Sequence, residues 1–398
     1  MAKPFKNISI VDFSNVVSGP MAVQILADQG ADVVKIETPG AGDISRGLGA
    51  KRGGVSSMFA VLNRNKRSLV LNLKQNEARE VALKLIEKAD VLVENFRPGA
   101  MSRVGLDYDS LKARFPNLIY ASISGFGPDG PYANRRVYDP IIQSISGIAD
   151  AQKIAGTNDI DLVKNLICDK VTSLTAAQAI SAALFEREKT GNGQHLEVSM
   201  LGAGLAFVWP DGMWNETFTG DGIQPMPLLS DIYRVSQTAN GFITYITVSD
   251  DEWQGMCRAI NYPDMGQAEK YATLPARLKH IKEIVDFLDQ EIKKWDTDEL
   301  CERLDAEQVP FAKVNAISQV ADDPQIKHSE LLVSGQHPYG GEFRYPVPAA
   351  RFSGQVPAIR FEAPMLGEHS EQILAELGYS SEKIEDYRTR GIIEQFRS

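Results

Sequence analysis

Hydrophobic and polar positions follow two different periods along residues 1–190. Short apolar runs indicate buried strands, and apolar residues spaced three or four positions apart indicate helices. The strands predicted in this way are 8–13, 31–36, 68–73, 91–94 and 118–122, and the helices are 21–29, 77–89 and 170–189. Because alternating strands and helices form right-handed βαβ units, the pattern predicts an α/β body with a mainly parallel sheet.

The pattern changes near residue 215. Two alternating segments meet at Asn240-Gly241, a dipeptide that favours a tight hairpin turn. The other predicted elements are helices over 276–295, 297–305 and 371–377, a strand over 309–315 and a connection rich in proline and glycine over 335–365. The second half is therefore predicted to hold a smaller α+β unit, and the short tail beyond residue 335 is expected to pack back onto the body.

Composition supports a folded protein with more than one domain. The chain has 398 residues, of which 43% are hydrophobic and 24% charged, and this length suits two or three domains. The cysteines Cys168, Cys257 and Cys301 are far apart and lack CxxC spacing, which argues against structural zinc or a disulfide framework. Without a signal-peptide pattern or a long apolar run, we expect a cytoplasmic protein with no membrane partner.

Charge is distributed unevenly along the chain. Residues 1–140 carry 19 basic and 14 acidic side chains, whereas residues 141–398 carry 23 basic and 38 acidic ones. The net charge of −10 argues against nucleic acid as a partner, but a locally basic third can still bind a small anion. Uneven placement of solvated surface charge is the alternative explanation.

Basic residues of this first third cluster near the ends of predicted strands, where ligands of open α/β sheets bind. Lysine and arginine there suit phosphate groups, since arginine can donate two parallel hydrogen bonds to a phosphate. The cluster comprises Arg64, Lys66, Arg67, Lys74, Arg97, Arg103, Arg135 and Arg136. Solvated strand ends would give the same pattern, so anion binding by this cluster is a hypothesis.

The glycine and histidine patterns do not indicate a cofactor site. Gly125, Gly127 and Gly130 have the spacing of a dinucleotide-binding loop, but Pro128 and Pro131 prevent a helix from starting there. The five histidines are scattered without metal-ligand spacing, and the sequence has no G-x-S-x-G motif. The sequence therefore predicts neither a nicotinamide cofactor nor a metal site.

Asp169 has the most informative position among the acidic residues. It ends the segment NLICD and directly precedes the predicted helix 170–189, which places it at the N-cap or in the first turn. A capping aspartate is a common reason for such a position and stabilises a protein by about 1 kcal/mol. The alternative is a carboxylate that the helix N-terminus keeps ionised, able to act as a covalent nucleophile without a histidine.

Several long motifs of the chain resemble the class III CoA-transferases, the CaiB/BaiF group. They follow the family's order and span residues 5 to about 390, which makes the resemblance specific. The motifs are ISIVDFSNVVSGPMAVQILADQGADVVKIETPGAGD, LNRNKRSLVLNLK, ADVLVENFRPGAMSRVGLDYDSL, NLIYASISGFGPDGPY, VYDPIIQSISG and PMLGEHSEQILAELGY.

The resemblance implies an α/β fold with a Rossmann-like large domain from both chain termini, a smaller α+β domain and an interlocked homodimer. On this chain the large CoA-binding domain corresponds to 1–220 and 335–398, and the small domain to 225–330. Segments 215–225 and 330–350 correspond to the linkers. The family's partners are acyl-CoA and carboxylic acid substrates, so coenzyme A is expected as a substrate and no cofactor is expected to be tightly bound.

The resemblance also implies a site. Asp169 matches the family's nucleophile, at the start of a helix. The positions that match the family's CoA contacts are Val16, Val17, Ser18, Thr38, Leu71, Asn72, Leu73, Lys74, Asn95, Phe96, Arg97, Arg103, Arg136, Val137 and Tyr138.

The activity that the resemblance implies is transfer of CoA from a donor acyl-CoA to an acceptor carboxylic acid. The intermediates would be an acyl-aspartyl anhydride and an aspartyl-CoA thioester on Asp169. An α-methylacyl-CoA racemase is an alternative, but it needs two facing bases, and the first histidine of this chain is His195. A non-catalytic acyl-CoA-binding protein is an alternative of another class, and such a protein would not need Asp169.

Two details near the implied site suggest departures from the family pattern. Val17, Leu48 and Met58 stand where relatives acting on small dicarboxylates have polar or aromatic residues, which indicates a larger or more apolar acid. Repacking with unchanged specificity would be the simpler explanation. Cys168, next to Asp169, is interpreted as a candidate reactive neighbour.

Overall fold

The computed structural model of the protein describes residues 3–153, 159–356 and 359–397. The strands are β1 Ser9–Asp12, β2 Asp32–Glu37, β3 Lys51–Arg52, β4 Val55–Ser56, β5 Lys66–Val70, β6 Val91–Glu94, β7 Ile119–Ser124, β8 His195–Ser199, β9 Ser236–Gln237, β10 Phe242–Tyr245, β11 Phe311–Lys313, β12 Leu332–His337 and β13 Gly341–Pro346. The helices are α1 Ser18–Asp28, α2 Ser57–Asn63, α3 Asn76–Ile86, α4 Tyr108–Leu111, α5 Asp139–Ile145, α6 Ile148–Ala151, α7 Ile167–Thr190, α8 Met200–Gly212, α9 Leu229–Ile232, α10 Asp250–Ala259, α11 Pro263–Gln267, α12 Leu274–Lys279, α13 Ile281–Ile292, α14 Thr297–Ala306, α15 Pro324–His328, α16 Ser370–Glu376 and α17 Ser381–Thr389.

The chain divides into two compact units. The first unit comprises Met1–Ser146, Val163–Phe207 and His328–Ser398, and the second comprises Gly147–Leu162 and Val208–Lys327. This partition differs from the predicted boundaries at each junction, and the first unit resumes at His328 rather than at residue 335. Residues 147–162 belong to the second unit, and that unit begins again inside helix α8, at Val208, rather than at residue 225.

A parallel sheet forms the centre of the first unit, and this confirms the predicted α/β class. Its strand order is β5-β2-β1-β6-β7-β8, the order of doubly wound sheets. All neighbouring strands of this sheet pair in parallel. From β1 the chain adds β2 and β5 on one side of the sheet, and it later adds β6, β7 and β8 on the other side. A crevice opens at this switch point between β1 and β6, beyond the carboxyl ends of the strands.

Helices cover both faces of the sheet. On one face, α1 and α7 pack onto the strands through small and branched residues such as Ala22, Ala176 and Ile180. Because alanine lets helices approach closely, α7 lies against α1 and brings its N-terminus to the N-terminus of α1. The Ser173 hydroxyl of α7 lies 3.5 Å from the Val17 carbonyl. Both helix starts therefore lie near the switch point.

The chain tail covers the other face, which confirms that it packs back onto the body. Ile373, Leu374 and Ile392 are buried in the cluster that also contains the strand residues Val11 and Leu92. The segment 335–365, predicted to be a connection, contains the antiparallel hairpin β12–β13. That prediction was wrong because the hairpin is built from short polar strands with little hydrophobic alternation.

The second unit has its own core, centred on Trp253 and Leu300. Its antiparallel sheet has the order β11-β10-β9, and the turn between β9 and β10 contains Asn240-Gly241, which confirms the predicted hairpin. The predicted helix 276–295 is divided into α12 and α13 at His280, whose φ of −116° is not helical. In the described residues, no helix has the length and apolar character needed to cross a membrane.

Candidate active site

A cavity of about 430 Å³ opens at the switch point of the parallel sheet, within the first unit. Two loops supply much of its lining: the β1–α1 loop (residues 13–17) and the β7–α5 loop (residues 125–138). The lining residues are Asn15, Val16, Ser18, Thr38, Gly42, Ile44, Asn95, Phe96, Arg97, Pro98, Ile123, Ser124, Gly125, Ala133, Arg135, Arg136, Val137, Tyr138, Asp169 and Met200.

Asp169 lies in the first turn of α7 and faces this cavity. The N-cap residue of α7 is Leu166, whose side chain makes no capping hydrogen bond. The amide of Asp169 instead donates to Asp139 Oδ2 at 2.9 Å. Asp139 therefore supplies the cap, and the Asp169 carboxylate is not used to hold its own helix.

Asp139 is a residue of the site that the sequence did not point to. It is the first residue of α5, is 1% exposed, and also accepts a hydrogen bond from Gln143 Nε2 at 2.6 Å. Gln143 in turn binds the main chain at Val163 and Asn165, just before α7. The contact joins residues that are 30 positions apart, so no local motif could have revealed it.

The surroundings of Asp169 make it an unusually basic carboxylate. Asp169 is 9% exposed, and burial together with the neighbouring charge of Asp139 raises the pKa of its carboxyl group to about 7. The Ser18 amide, at the start of α1, donates a hydrogen bond that lowers this pKa. The side chain is therefore ionised above neutral pH. A carboxylate with a raised pKa is a stronger nucleophile than an exposed carboxylate with an ordinary pKa.

The β1–α1 loop is fixed to β6 by one amide side chain. Asn95 Oδ1 accepts from the Asn15 amide at 2.8 Å, and Asn95 Nδ2 donates to the Asn15 carbonyl at 2.7 Å. The same Nδ2 lies 3.2 Å from Ser18 Oγ. Asn95 thus holds the loop that presents the Ser18 amide to Asp169.

The β7–α5 loop gives the cavity its positive charge. Arg135 and Arg136 lie on this loop and Arg97 follows β6, and all three are exposed. Arg135 packs over the ring of Tyr132 at 3.9 Å. Over residues 3–153, 159–356 and 359–397, none of the three has an acidic side chain within ion-pair distance. Unpaired guanidinium groups lining a cavity suit an anionic ligand.

The glycine motif belongs to this loop and not to a dinucleotide site. After Gly125 the chain continues without a helix as far as Asp139. A Cβ atom on Gly125 would lie 2.3 Å from Val137 Cγ1, so glycine is required for Val137 to pack against the start of the loop. Gly125 therefore forms part of the cavity wall.

The structure brings many of the predicted site residues together. Ten of them line the cavity: Val16, Ser18, Thr38, Asn95, Phe96, Arg97, Arg136, Val137, Tyr138 and Asp169. Six do not line it: Val17, Leu71, Asn72, Leu73, Lys74 and Arg103. Val17 and Leu71 are 2% and 1% exposed, and the Asn72 amide binds the tail at the Ile392 carbonyl.

Three residues of the basic cluster have internal partners, so the anion-binding hypothesis is wrong for them. Arg64 pairs with Asp28 at 2.7 Å, and Lys66 pairs with Asp12 at 2.9 Å, both in buried positions. Arg67 forms ion pairs with two acidic side chains, one from β2 and one from α16. The partners are distant in the sequence, which is why the residues resembled a free basic cluster.

Two further expectations change with the structure. Cys168 is fully buried, and burial with the nearby acidic charges raises the pKa of its thiol to about 12. The thiol is therefore protonated and shielded, and its interpretation as a reactive neighbour is wrong. Leu48 and Met58 are not among the residues that line the cavity, and Leu48 is 40% exposed.

Comparisons with known proteins identify the family. The sequence profile of CoA-transferase family III matches residues 5–370, so the chain belongs to this family and is a CoA-transferase. It is 32% identical to a formyl-CoA:oxalate CoA-transferase from Escherichia coli O157:H7, over 96% of this chain and 98% of that protein. It is 34% identical to a succinate–glutarate CoA-transferase from Agrobacterium fabrum, over 94% and 96% of the two chains.

A solved structure shares the fold. A CaiB/BaiF family protein from Brucella suis superposes with a TM-score of 0.80 at 29% sequence identity. The match covers 95% of this chain and all of that protein. The family resemblance drawn from the sequence motifs is thereby confirmed.

Proposed function

We propose that the protein transfers CoA from an acyl-CoA thioester to an acceptor carboxylic acid, with Asp169 as the covalent nucleophile. One observation carries the proposal: a buried, basic carboxylate faces a cavity whose other charged lining groups are arginines without an acidic partner among the described residues. A carboxylate of this kind can attack a thioester without help from a histidine.

The first half-reaction proceeds in two steps on Asp169. A carboxylate oxygen attacks the thioester carbonyl, the carbon–sulfur bond breaks, and an acyl-aspartyl anhydride and the CoA thiolate result. The thiolate then attacks the aspartyl carbonyl carbon and expels the donor acid as a carboxylate. The enzyme now holds an aspartyl-CoA thioester, and no proton or electron has been gained or lost overall.

The second half-reaction reverses these steps with the acceptor acid. The acceptor carboxylate attacks the aspartyl thioester, and CoA thiolate leaves. That thiolate attacks the acyl carbon of the new anhydride and restores the Asp169 carboxylate. Because each thioester is exchanged for another, the free energy of the bond is retained and no nucleotide hydrolysis is required.

The groups around Asp169 have separate parts in this chemistry. The Ser18 amide, which donates to the free carboxylate, is a candidate donor to the negative charge that develops on oxygen. Arg97, Arg135 and Arg136 are candidate partners for the CoA phosphates. The N-terminus of α1 adds a positive dipole end at the same edge of the sheet. The first unit would thus be the Rossmann-like CoA-binding domain.

The cavity lining suggests an acyl group with apolar carbon. Ile44, Ile123, Val137 and Met200 contribute hydrocarbon surface near the nucleophile. Formate and oxalate, which the E. coli relative's name gives as its acyl groups, have no such carbon to bury. We therefore place the substrates among larger carboxylic acids, as in the Agrobacterium relative's succinate and glutarate, or longer ones.

We further propose that the protein is a cytoplasmic homodimer. The helices of the first unit expose Ile141, Leu174, Phe185 and Phe207 by 45% or more of their surface. Exposed apolar side chains in this number favour an interface between copies of the chain. Free thiols at all three cysteines fit a reducing compartment. Light scattering on a size-exclusion column would measure the mass in solution.

Replacement of the nucleophile tests the transfer mechanism. A panel of acyl-CoA donors and carboxylic acid acceptors, analysed by mass spectrometry, first identifies a working pair. With that pair, Asp169→Asn is expected to lower kcat by at least about a thousandfold, since a carboxamide cannot form the anhydride. Asp90→Asn, in an ion pair with Arg187 away from the cavity, serves as the matched control and should retain activity.

Covalent trapping identifies the attacked residue directly. Hydroxylamine added during turnover should convert Asp169, and no other aspartate, to a hydroxamate. Modification at another residue, or activity of Asp169→Asn within tenfold of wild type, would refute the proposal. A racemase would instead exchange the α-hydrogen with deuterated water in the absence of an acceptor acid.

A further inference from the structure

Buried charged side chains hold the β1–α1 loop at two residues, Ser14 and Val16. The Asp12 carboxylate accepts hydrogen bonds from the Ser14 amide, at 2.9 Å, and from the Ser14 hydroxyl. Lys35 Nζ donates to the Ser14 carbonyl at 2.6 Å. Asp43 Oδ1 accepts from the Val16 amide at 3.0 Å. The loop cannot shift at either residue without breaking a hydrogen bond to a buried charge.

The holding side chains form one ionic network. Lys35 Nζ lies 2.9 Å from Asp43 Oδ2 and 3.9 Å from Asp12 Oδ2. Lys66 Nζ lies 2.9 Å from Asp12 Oδ2, and the same nitrogen donates to the Pro20 carbonyl of α1 at 2.9 Å. All four charged side chains are completely buried. Buried ion pairs are often no more stabilising than packed apolar residues, so the network's contribution lies in geometry.

The geometry held by the network is strained at Val16. Its φ is +68°, a left-handed conformation that glycine adopts readily and β-branched residues avoid. Strained backbone persists where its surroundings fix it, and it concentrates at functional sites. Two residues further on, Ser18 begins α1 and lines the same cavity as Asp169, whose pKa its backbone amide lowers.

We propose that Asp43 is a positioning residue for the transfer reaction: held by Lys35, it keeps Val16 in its left-handed conformation and thereby aims the Ser18 amide at Asp169. Asp43 is not among the residues lining the cavity. Its Oδ1 contacts the loop at the Val16 amide and also accepts from the Ser45 amide at 2.8 Å, which caps the short turn Ile44–Gly47. The inference rests on the proposed function, because it requires Asp169 to be the nucleophile.

In the pH–rate profile, the fall in rate at acid pH, called here the acid limb, follows the pKa of Asp169. Its position therefore shows whether the Ser18 amide still points at that carboxylate. That amide is the donor that lowers the pKa of Asp169, against burial and Asp139, which raise it. The ionisable side chains around Asp169 are Asp139 from α5, Cys168 from its own helix and, in the cavity lining, Arg97, Arg135, Arg136 and Tyr138. In the described residues none of these is hydrogen-bonded to Asp43, so Asp43 does not act on Asp169 by direct contact, and its bond to the Val16 amide is the contact that leads toward Ser18.

The experiment compares Asp43→Ala and Asp43→Asn with wild type. Asp43→Ala removes the acceptor for the Val16 amide and should lower kcat by roughly tenfold or more. KM for acyl-CoA should change less than threefold, and the acid limb should move to higher pH. Asp43→Asn keeps an oxygen toward Val16, so its kcat loss and its limb shift should be smaller and in the same direction.

A second substitution tests the role of strain. Val16→Gly accepts a φ of +68° without steric cost. In the Asp43→Ala background it should recover at least threefold in kcat over Asp43→Ala alone, whereas in the wild-type background, where it removes a side chain from the cavity lining, it should lower kcat. This pattern distinguishes a held conformation from a general loss of folding.

The matched control is Asp28→Asn, which breaks another buried ion pair of the same unit, that with Arg64. Its thermal stability should fall, while kcat and the acid limb stay as in wild type. The proposal is overturned if Asp43→Ala leaves kcat within twofold with an unshifted limb, or if Asp28→Asn moves the limb equally. If Asp43→Ala is not recovered folded, Asp43→Asn decides by the same two criteria.

The failure of this proposal differs from failure of the proposed function. If Asp169→Asn stays active, the nucleophile is wrong and the transfer mechanism fails. If Asp169→Asn is inactive while both Asp43 variants match wild type in kcat and pH profile, only the positioning role fails.

Discussion

The two loops that line the cavity use charge in opposite ways. Around the β1–α1 loop, the charged side chains are completely buried and paired with each other, as Lys35 is with Asp43. On the β7–α5 loop, Arg135 and Arg136 are exposed and have no acidic partner within the described chain. One loop is thus held in place by charge, and the other offers charge to a ligand.

The two loops also act on Asp169 in opposite directions. The β1–α1 loop leads to Ser18, whose amide lowers the pKa of Asp169. The β7–α5 loop leads to Asp139, whose charge raises it. The basicity of the proposed nucleophile is therefore set by a balance between two walls of one cavity, and each wall can be changed separately.

The largest expected effect of such a change comes from the arginines of the β7–α5 loop. The double replacement Arg135→Gln and Arg136→Gln should raise KM for acyl-CoA by about tenfold to fiftyfold, since each lost charged contact to phosphate costs about 1 kcal/mol or more. Steady-state kinetics at fixed ionic strength measures this, and the salt dependence of KM should weaken.

The exposed Arg114, packed beside Phe115 and outside the cavity lining, provides the matched control. Arg114→Gln should leave KM unchanged. Thermal stability should stay near that of wild type in both variants, because neither breaks an ion pair found in the described part of the chain. An unchanged KM in the double variant would remove the functional contrast between the two loops.

The strands and helices that frame this cavity could be predicted from the sequence more fully than the contacts within it. Alternating apolar runs predicted the parallel sheet, and the predicted strands 8–13 and 91–94 end within one residue of β1 and β6. The position of Asp169 at a helix start was also readable, because the apolar segment before it and the Ala-rich helix after it are local patterns. Sheet topology then places all three at one edge.

The contacts that decide the chemistry were not readable from the sequence. Asp139 and Asp169 are 30 residues apart, and Asp43 and Val16 are 27 apart, so only the folded chain brings them together. For the same reason Lys66 resembled a free cation, although its partner Asp12 lies 54 residues away. Buried charge is paired over long separations, which no local periodicity records.

A smaller effect is expected from Asp139, at the end of the β7–α5 loop. Because its charge helps to raise the pKa of Asp169 to about 7, Asp139→Asn should lower that pKa. Only ionised Asp169 attacks the thioester, so kcat/KM falls as pH drops below this pKa. The acid limb in the variant should therefore move to lower pH.

The pH dependence of kcat/KM from pH 5 to 9 measures the shift. Asp90→Asn, which removes a charge of the same unit outside the cavity lining, should leave the limb in place. Asp43→Ala should move it the other way, to higher pH. Shifts of the same sign in the Asp139 and Asp43 variants would contradict the opposition of the two loops.

The smallest expected effect is on stability, and it separates the two kinds of buried aspartate. Burial and Asp139 raise the pKa of Asp169 from 3.8 to about 7, so the folded state holds a proton that the unfolded state releases between these values. Stability from this group is therefore lost as pH rises from about 4 to 7 and is constant above. Asp169→Asn removes the loss and still accepts from the Ser18 amide.

Asp169→Asn should consequently be more stable than wild type at pH 8, by about 2 kcal/mol, with a smaller gain at pH 4. Asp12→Asn should do the opposite: burial alone would raise the pKa of Asp12, but Lys66 and Lys35 outweigh burial and hold that pKa below its ordinary value. Its ionised form thus stabilises the fold at neutral pH, and the amide should melt earlier. Thermal midpoints at both pH values decide the matter, because a purely structural Asp169 would lose stability on replacement just as Asp12 does.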